Sequence, residues 1–181
     1  RPNTVALSMP RAGDKEGRER FLQKVEIVAT FDLNMVVLKP GDIAPTKKKR
    51  IIDIWWRGEK NGSLMALFSY LLTLDHAWSG ADIRFMRIVS DDKEEKEGRL
   101  HMSELKKQMR MPAQTKIIRS EEPPQEIIAS TSGPVADLVL LGMRATSGEE
   151  ARRSLEWLDP MLERLPTTLL IWSNGEADVF V

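Results

Sequence analysis

Ile51-Ile52-Asp53-Ile54-Trp55-Trp56, followed by Arg57 to Gly62 and then by Ser63 to Leu74, is the stretch that decides the fold. The opening run is β-branched and aromatic with one acid inside it, a composition that suits a strand buried on most of both faces, as in a parallel sheet. Arg57 to Gly62 reads as a short polar turn. Beyond it Leu64, Leu67, Phe68, Leu71 and Leu72 fall at i, i+3, i+4, i+7 and i+8, which makes one wide apolar helix face. A buried strand that feeds a helix through a tight turn is the first half of a right-handed βαβ unit.

The rest of the chain extends that alternation. Strands are expected at Ile83 to Val89, Thr115 to Arg119, Asp137 to Met143 and Thr168 to Trp172, with Val179 to Val181 as a further edge piece. Between them, Asp75 to Ala81 is a loop around Trp78, and Ser90 to Gly98 is a charged loop or first helical turn. Leu100, Met102, Leu105 and Met109 suggest a modest amphipathic helix stopped by Pro112. Gln125 to Ser130 adds a short helix, and Glu149 to Leu165 a longer one that Pro160 is expected to kink or split. From Ile51 onward five strands alternate with helices. The fold class is therefore α/β, with a doubly wound, mostly parallel five-stranded sheet.

Ahead of it, Thr4 to Ser8 and Met35 to Leu38 read as strands. Asp14 to Ala29 reads as a helix with Phe21, Val25 and Val28 on its inner face. The expected division is thus 1–50, a βαβ piece plus connector, and 51–181, a complete domain. Val5, Val36, Ile52, Ile54, Leu67, Leu71, Ile83, Phe85, Val139, Leu141 and Leu170 are the expected core.

The first forty residues also look like a copy of later ones. Sliding Thr4 to Gly41 onto Leu138 to Gly175 without a gap puts Met9 on Met143, Glu16 on Glu150, Arg18 on Arg152, Phe21 on Leu155 and Gly41 on Gly175. Val5-Ala6-Leu7 falls on Val139-Leu140-Leu141, and Val36-Val37-Leu38 on Leu170-Ile171-Trp172. In the second copy Ser147 and Glu150 make a capping box, and in the first Gly13 replaces the serine. On this reading the chain begins inside a first copy, at its fourth strand. A lone βαβ piece cannot bury both faces, so it must pack on the complete domain or on further segments.

Composition excludes several function classes. The 181 residues suffice for one domain with a sizeable core, and 41% apolar with 30% charged residues marks a soluble globular chain. A formal net charge of zero argues against nucleic-acid binding, which needs a basic excess. With no cysteine there is no disulfide framework, thiolate metal site or thiol nucleophile. No apolar run approaches the roughly 20 residues needed to cross a bilayer. The first residue is Arg and no signal peptide is visible, so the chain reads as a fragment of something longer.

Few residues carry the marks of chemistry. His76 and His101 lack companions at metal-ligand spacing and read as surface or capping residues. Gly142 to Gly148 lies between a strong strand and a helix start, where α/β sheets bind phosphates. It is neither a Walker loop nor a dinucleotide fingerprint, and it reads as a capped turn. It is similar in place to the glycine-rich stretch through which many universal stress proteins bind ATP, without their fuller glycine spacing. Trp55, Trp56, Trp78, Trp157 and Trp172 read as core or interface packing rather than a ligand cage. Lys47 to Arg50 is a solvated basic run, or a contact for anionic lipid if the domain hangs below a membrane. Asp91 to Glu97 lacks calcium-loop spacing and reads as a solvated loop or helix end. No catalytic residue, cofactor-binding residue or metal ligand is assigned, and no cofactor.

One resemblance spans nearly the whole chain. Ile52-Asp53-Ile54-Trp55-Trp56, then Asn61-Gly62 and an apolar helix ending in Tyr70-Leu71-Leu72, resembles the cytosolic C-terminal domain of cation–chloride cotransporters, which carries Ile-Asp-Val-Trp-Trp, an acid-Gly-Gly turn and a leucine-rich helix. Trp78 before Ile83-Arg84-Phe85, Arg1-Pro2-Asn3-Thr4, Trp157-Leu158 and Leu165-Pro166-Thr167-Thr168-Leu169-Leu170-Ile171 are similar to further landmarks in the same order, with Asn174-Gly175 close to the family's Gly-Asn. Lys60-Asn61-Gly62 departs from the acid-Gly-Gly turn, and the middle loops are short beside animal members, which puts kinase control in doubt and suggests a prokaryotic relative. The resemblance implies two universal-stress-protein-like halves and no catalysis. It implies a domain on the cytoplasmic side of the cell membrane that docks on its own transmembrane transporter, pairs as a homodimer and regulates symport of chloride with potassium and/or sodium. The alternative is a soluble universal-stress-type nucleotide-binding sensor.

Overall fold

The chain folds in the order β1 (Thr4–Ser8), α1 (Lys15–Thr30), β2 (Asn34–Lys39), β3 (Ile51–Trp55), α2 (Glu59–Thr73), β4 (Asp82–Val89) and α3 (Asp92–Met109). It continues through β5 (Ala113–Arg119), α4 (Pro124–Ser132), β6 (Leu138–Gly142), α5 (Gly148–Glu163) and β7 (Thr167–Trp172). The computed structural model describes residues 3–42, 49–57, 59–109, 112–144 and 148–175. The expected edge piece at Val179 to Val181, Lys47, Lys48 and the capping serine Ser147 lie outside these.

Among the described residues one sheet holds seven strands in the order β1-β2-β7-β6-β3-β4-β5. The Asp-Trp-Trp segment is an interior strand: β3 pairs in parallel with β4 on one side and β6 on the other. The five expected strands from Ile51 onward are all present and mutually parallel. The leading βαβ piece continues the same sheet, with β1 parallel to β2 and β2 antiparallel to β7.

Helices cover both faces, as the double winding requires. Phe21, Val25 and Val28 of α1, Ile127 and Ala129 of α4, and Leu155, Met161 and Leu162 of α5 share one core with Trp55, Met86 and Val139. Leu64, Met65 and Ala66 of α2 and Met102 of α3 share the other with Ile52, Ile54, Trp56, Phe85 and Leu140. Trp55 and Trp56, adjacent in sequence, therefore anchor opposite layers, as alternation along an extended chain dictates.

Local signals set the ends. Asp14 caps α1, its carboxylate accepting from the Gly17 amide at 2.8 Å, while Gly13 before it holds φ 90°, a conformation that glycine tolerates best. α3 begins within the expected charged loop because Asp91 accepts from the Glu94 amide and Glu94 reaches back to Ser90. α5 is not split at Pro160: the helix continues through it to Glu163, with the proline and Glu156, whose carbonyl loses its helical partner, both exposed. Leu100 is 65% exposed, so it does not belong to the buried side of α3 that Met102 marks.

The largest departure is in α2. It starts at Glu59, four residues ahead of the expected helix, and takes Asn61 and Gly62 into its first turn. Its buried side is Gly62, Met65, Ala66 and Ser69 with Leu64, whereas Leu67, Phe68 and Leu72 are half-buried and Leu71 is exposed. Small residues let the helix lie close to the sheet. A Cβ on Gly62 would fall 1.9 Å from the Trp56 ring. Leu71 thus leaves the expected core list, and Val5 and Leu67 are only partly buried; the other eight are buried.

The β-α-β elements at 4–39 and 138–172 match in order and length, with one correction to the gap-free alignment. Thr4 to Ser8 falls on Leu138 to Gly142, but from the helices onward one position drops out: Lys15 falls on Gly148, Asn34 on Thr167 and Lys39 on Trp172. The ladders agree, since Thr4 pairs Asn34 whereas Leu138 pairs Thr167. The amides of Met9 and Met143 both donate at 2.8 Å to counterpart carbonyls, Leu38 and Ile171.

Candidate functional site

Strand order reverses between β3 and β6, and α/β sheets bind ligands beyond the carboxyl ends of the strands at such a point. Here the chain's own groups occupy that position. Asn61, in the first turn of α2, donates from Nδ2 to the Met143 carbonyl at 2.9 Å, and its Oδ1 accepts from the Ser173 amide at 2.8 Å. One side chain thus ties the start of α2 to the ends of β6 and β7. A Cβ on Gly142 would come within 2.9 Å of Asn61 Nδ2, and the ring of Trp56 fills the space over Gly62. Residues 145–147 of the Gly142 to Gly148 loop lie outside the described residues.

Beneath this end of the sheet sits a charged cluster. Asp53, with no exposed surface, receives Arg84 Nε at 2.6 Å and Nη2 at 2.7 Å on its two oxygens. Ser132 of α4 donates to Asp53 Oδ2 at 2.6 Å and accepts from Trp55 Nε1 at 2.9 Å. The hydrogen bond to Asp53 raises the Arg84 pKa against the opposing effect of burial. These side chains bond one another across three elements, so the cluster clamps β3, β4 and α4 together. The acid inside the opening run had no assigned role in the sequence. The available signal was Arg84, which stands beside it in the neighbouring strand.

The remaining candidates do not converge. His76 is exposed in the turn after α2, while His101 is half-buried on α3 with its ring 6.0 Å from that of Trp56. Among the described residues no group of three His, Cys, Asp or Glu side chains could hold a metal. Trp55 and Trp56 are buried, Trp78 and Trp172 partly so, and Trp157 is 56% exposed. They lie on both faces and form no cage. Of the basic run, Lys49 pairs with Asp82 at 2.7 Å, and Arg50 donates to the Ala77 carbonyl while stacking 4.8 Å from the Trp78 ring centre. These two hold the entry to β3 and are not merely solvated. The acids after Ser90 start α3. There the amide and hydroxyl of Ser90 lower the Glu94 pKa.

What the structure does expose is the leucine stripe of α2. Tyr70, Leu71 and Leu74 stand on its outer side, flanked by Leu67, which is half-buried and packs partly against the core. Tyr70 is 49%, Leu71 47% and Leu74 64% exposed. A helix apolar on both sides is normally covered on both. Of the expected apolar face Leu64 is buried and Leu67, Phe68 and Leu72 pack partly against the core, while Leu71 alone turns outward; Gly62, Ala66 and Ser69 complete the contact without registering as apolar.

No protein-family model matches the chain, and no curated protein matches it in sequence. Solved structures do. The cytoplasmic domain of a prokaryotic cation chloride cotransporter matches over 97% of this chain with a TM-score of 0.71 at 18% identity. A universal stress protein from Archaeoglobus fulgidus DSM 4304 matches over 97% with a TM-score of 0.61 at 14% identity. The chain spans 66% of the length of the first and 62% of the second. The chain thus resembles the cytoplasmic domain of a prokaryotic cation chloride cotransporter, in a fold of the universal-stress-protein type.

Proposed function

We propose that this chain is a cytosolic regulatory and dimerisation domain of a cation–chloride cotransporter, with no catalysis of its own. On this reading it hangs from a transmembrane part that carries chloride with potassium and/or sodium. Residues 1–50 close a first universal-stress-like repeat, and 51–181 form the second. The observation that carries the reading is the pairing of a self-filled crevice at Asn61 with an uncovered ridge at Tyr70, Leu71 and Leu74. A domain that works by contact needs the second feature and not an open first one. The ridge has the spacing of a helix–helix seam, and two copies related by a two-fold axis would cover each other's leucines. Likeness to the cotransporter domain supports the transporter assignment, and short loops between elements fit a prokaryotic member. The basic segment before β3 is a candidate for inner-leaflet lipid, although Lys49 and Arg50 are already partnered.

The likeness to a universal stress protein favours one second reading, a nucleotide-binding sensor. Melting the purified chain with and without ATP separates the two. The regulatory reading expects no shift and concentration-dependent self-association by sedimentation. A clear ATP-dependent rise in melting temperature would establish the sensor instead. Apolar spans of roughly 20 residues encoded ahead of this segment are also expected.

A further inference from the structure

The chain has two Asn-Gly pairs, Asn61-Gly62 and Asn174-Gly175, and both lie at the same end of the sheet. In water such a pair breaks down without an enzyme when the glycine nitrogen can reach the asparagine side chain, since glycine has no Cβ to hinder the approach. The fold requires glycine at both places. Gly62 lies against the Trp56 ring, and Gly175 holds φ 97° in the left-handed region.

Their surroundings are opposite. Asn61 stands in the first turn of α2, where helical geometry turns the following nitrogen away from the side chain, and its amide is held by Met143 and Ser173. Gly62 is buried, which keeps water and base from its nitrogen. Asn174 follows β7 in neither helix nor strand, and Gly175 is exposed. The Gly175 amide donates to Ser173 Oγ at 3.1 Å, toward the long end of the hydrogen-bond range.

We propose that Asn174 is a site of spontaneous deamidation, and that its conversion loosens one end of the antiparallel pairing of β2 with β7. The Gly175 nitrogen gives up its proton and bonds to Asn174 Cγ. The Cγ–Nδ2 bond breaks, and Nδ2 departs with that proton as ammonia. Water then opens the five-membered imide at either carbonyl, leaving aspartate or isoaspartate. The amide lost has a structural task. Asn174 Nδ2 donates to the Asp32 carbonyl at 2.7 Å and the Asn174 backbone amide donates to Asn34 Oδ1 at 3.0 Å, so this residue ties the end of β7 to the α1–β2 turn. Asp32 itself holds φ 50°, uncommon outside glycine. A carboxylate in place of the donor sets acceptor against acceptor at that carbonyl, and isoaspartate also lengthens the main chain by one carbon. At the other end of the pairing Thr167 Oγ1 donates to the Gly41 carbonyl at 3.0 Å, a tie without asparagine.

The purified chain is aged at mildly alkaline pH, folded and in urea, and its tryptic peptides are weighed. Cleavage after Lys60 and Arg164 puts the two asparagines in separate peptides. In the folded chain Asn174 should convert at least about tenfold faster than Asn61, and in urea the two rates should agree within about twofold. Equal rates in the folded chain, faster conversion of Asn61, or an intact Asn174 after the urea sample has turned over would overturn the site. Asn174→Asp tests the consequence. Amide exchange at Asp32 and Leu33, whose amides close the end of α1, should quicken about threefold or more, while amides around Thr168 keep their rates. Unchanged exchange at Asp32 and Leu33 would overturn the loosening. Should Asn174→Asp fail to fold, the aged wild-type fraction, separated by its added charge, gives the same reading.

Discussion

Val37 lies directly opposite Leu170 across the antiparallel join of β2 and β7, and each is the other's counterpart in the repeat. A local two-fold axis therefore passes through this pair. The helix layer respects it as well: Glu19 of α1 and Arg152 of α5, again counterparts, form an ion pair at 2.5 Å. Two halves joined at equivalent residues are what duplication followed by fusion of an isologous pair would leave.

Leu170 is 1% exposed, so Leu170→Ala should cost about 2–5 kcal/mol. The loss should concentrate at the join. Amide hydrogen exchange is expected to quicken at Met35 and Val37 more than at Phe85 in β4. Uniform quickening across the sheet would show that the join has no stability of its own.

Asp53→Asn should be among the most damaging single changes. It leaves the Arg84 guanidinium beside a neutral amide in a mostly buried site, a loss of about 3 kcal/mol after allowing for Arg84's partial exposure. Adding Arg84→Met should recover part of that loss in urea melts. A double variant as unstable as the sum of its parts would disprove the clamp.

Gly62→Ala is a substitution whose sign is in question. In an exposed helix it would gain about 1 kcal/mol. Here the new methyl would overlap the Trp56 ring, and overpacking costs about 1–3 kcal/mol. The variant should melt lower than the parent, with altered tryptophan fluorescence; a higher melting temperature would mean that α2 can lift away freely.

Leu71→Glu with Leu74→Glu should abolish self-association and leave the monomer's urea midpoint nearly unchanged, within about 0.5 kcal/mol, because neither residue is buried in the monomer. Sedimentation velocity checks both points. Unaltered association would move the dimer contact away from α2.

Glu94 gives a pH dependence. Its carboxyl titrates below the ordinary 4.5, chiefly because the Ser90 amide and then the Ser90 hydroxyl bond the charged form. That contribution is present above pH 4.5 and disappears as the pH falls through the lowered value. Carbon-13 titration of Glu94 should show the low midpoint. In Glu94→Gln the exchange of the Ser90 amide should be faster at neutral pH and lose its acid dependence.

How much of this could be read from residues alone differs by element. The strands were legible because Ile52, Ile54, Val139 and Leu141 are buried in a sheet covered on both sides, so hydrophobicity and burial coincide. The buried face of α2 was only partly read: Leu64, Leu67, Phe68 and Leu72 do meet the core, but the closest approach uses glycine, alanine and serine, which carry little hydrophobic signal, and Leu71 turns outward. Asn61 looked like a turn residue because Asn-Gly favours turns locally. Its bonds to Met143 and Ser173 span 82 and 112 positions, beyond the reach of local pattern. The one-residue slip between the copies could not be seen until the ladders fixed each strand's register.

The β2–β7 join also sets an order of events during synthesis. Val37 leaves the ribosome about 130 residues, or roughly ten seconds, before the partner it must meet. Loop-closure entropy weighs against so distant a contact, and local pairs such as β3 with β4 form sooner. The β1–α1–β2 piece must therefore wait, tethered, until β7 has been added. A stalled or truncated chain would lack the strand that receives it.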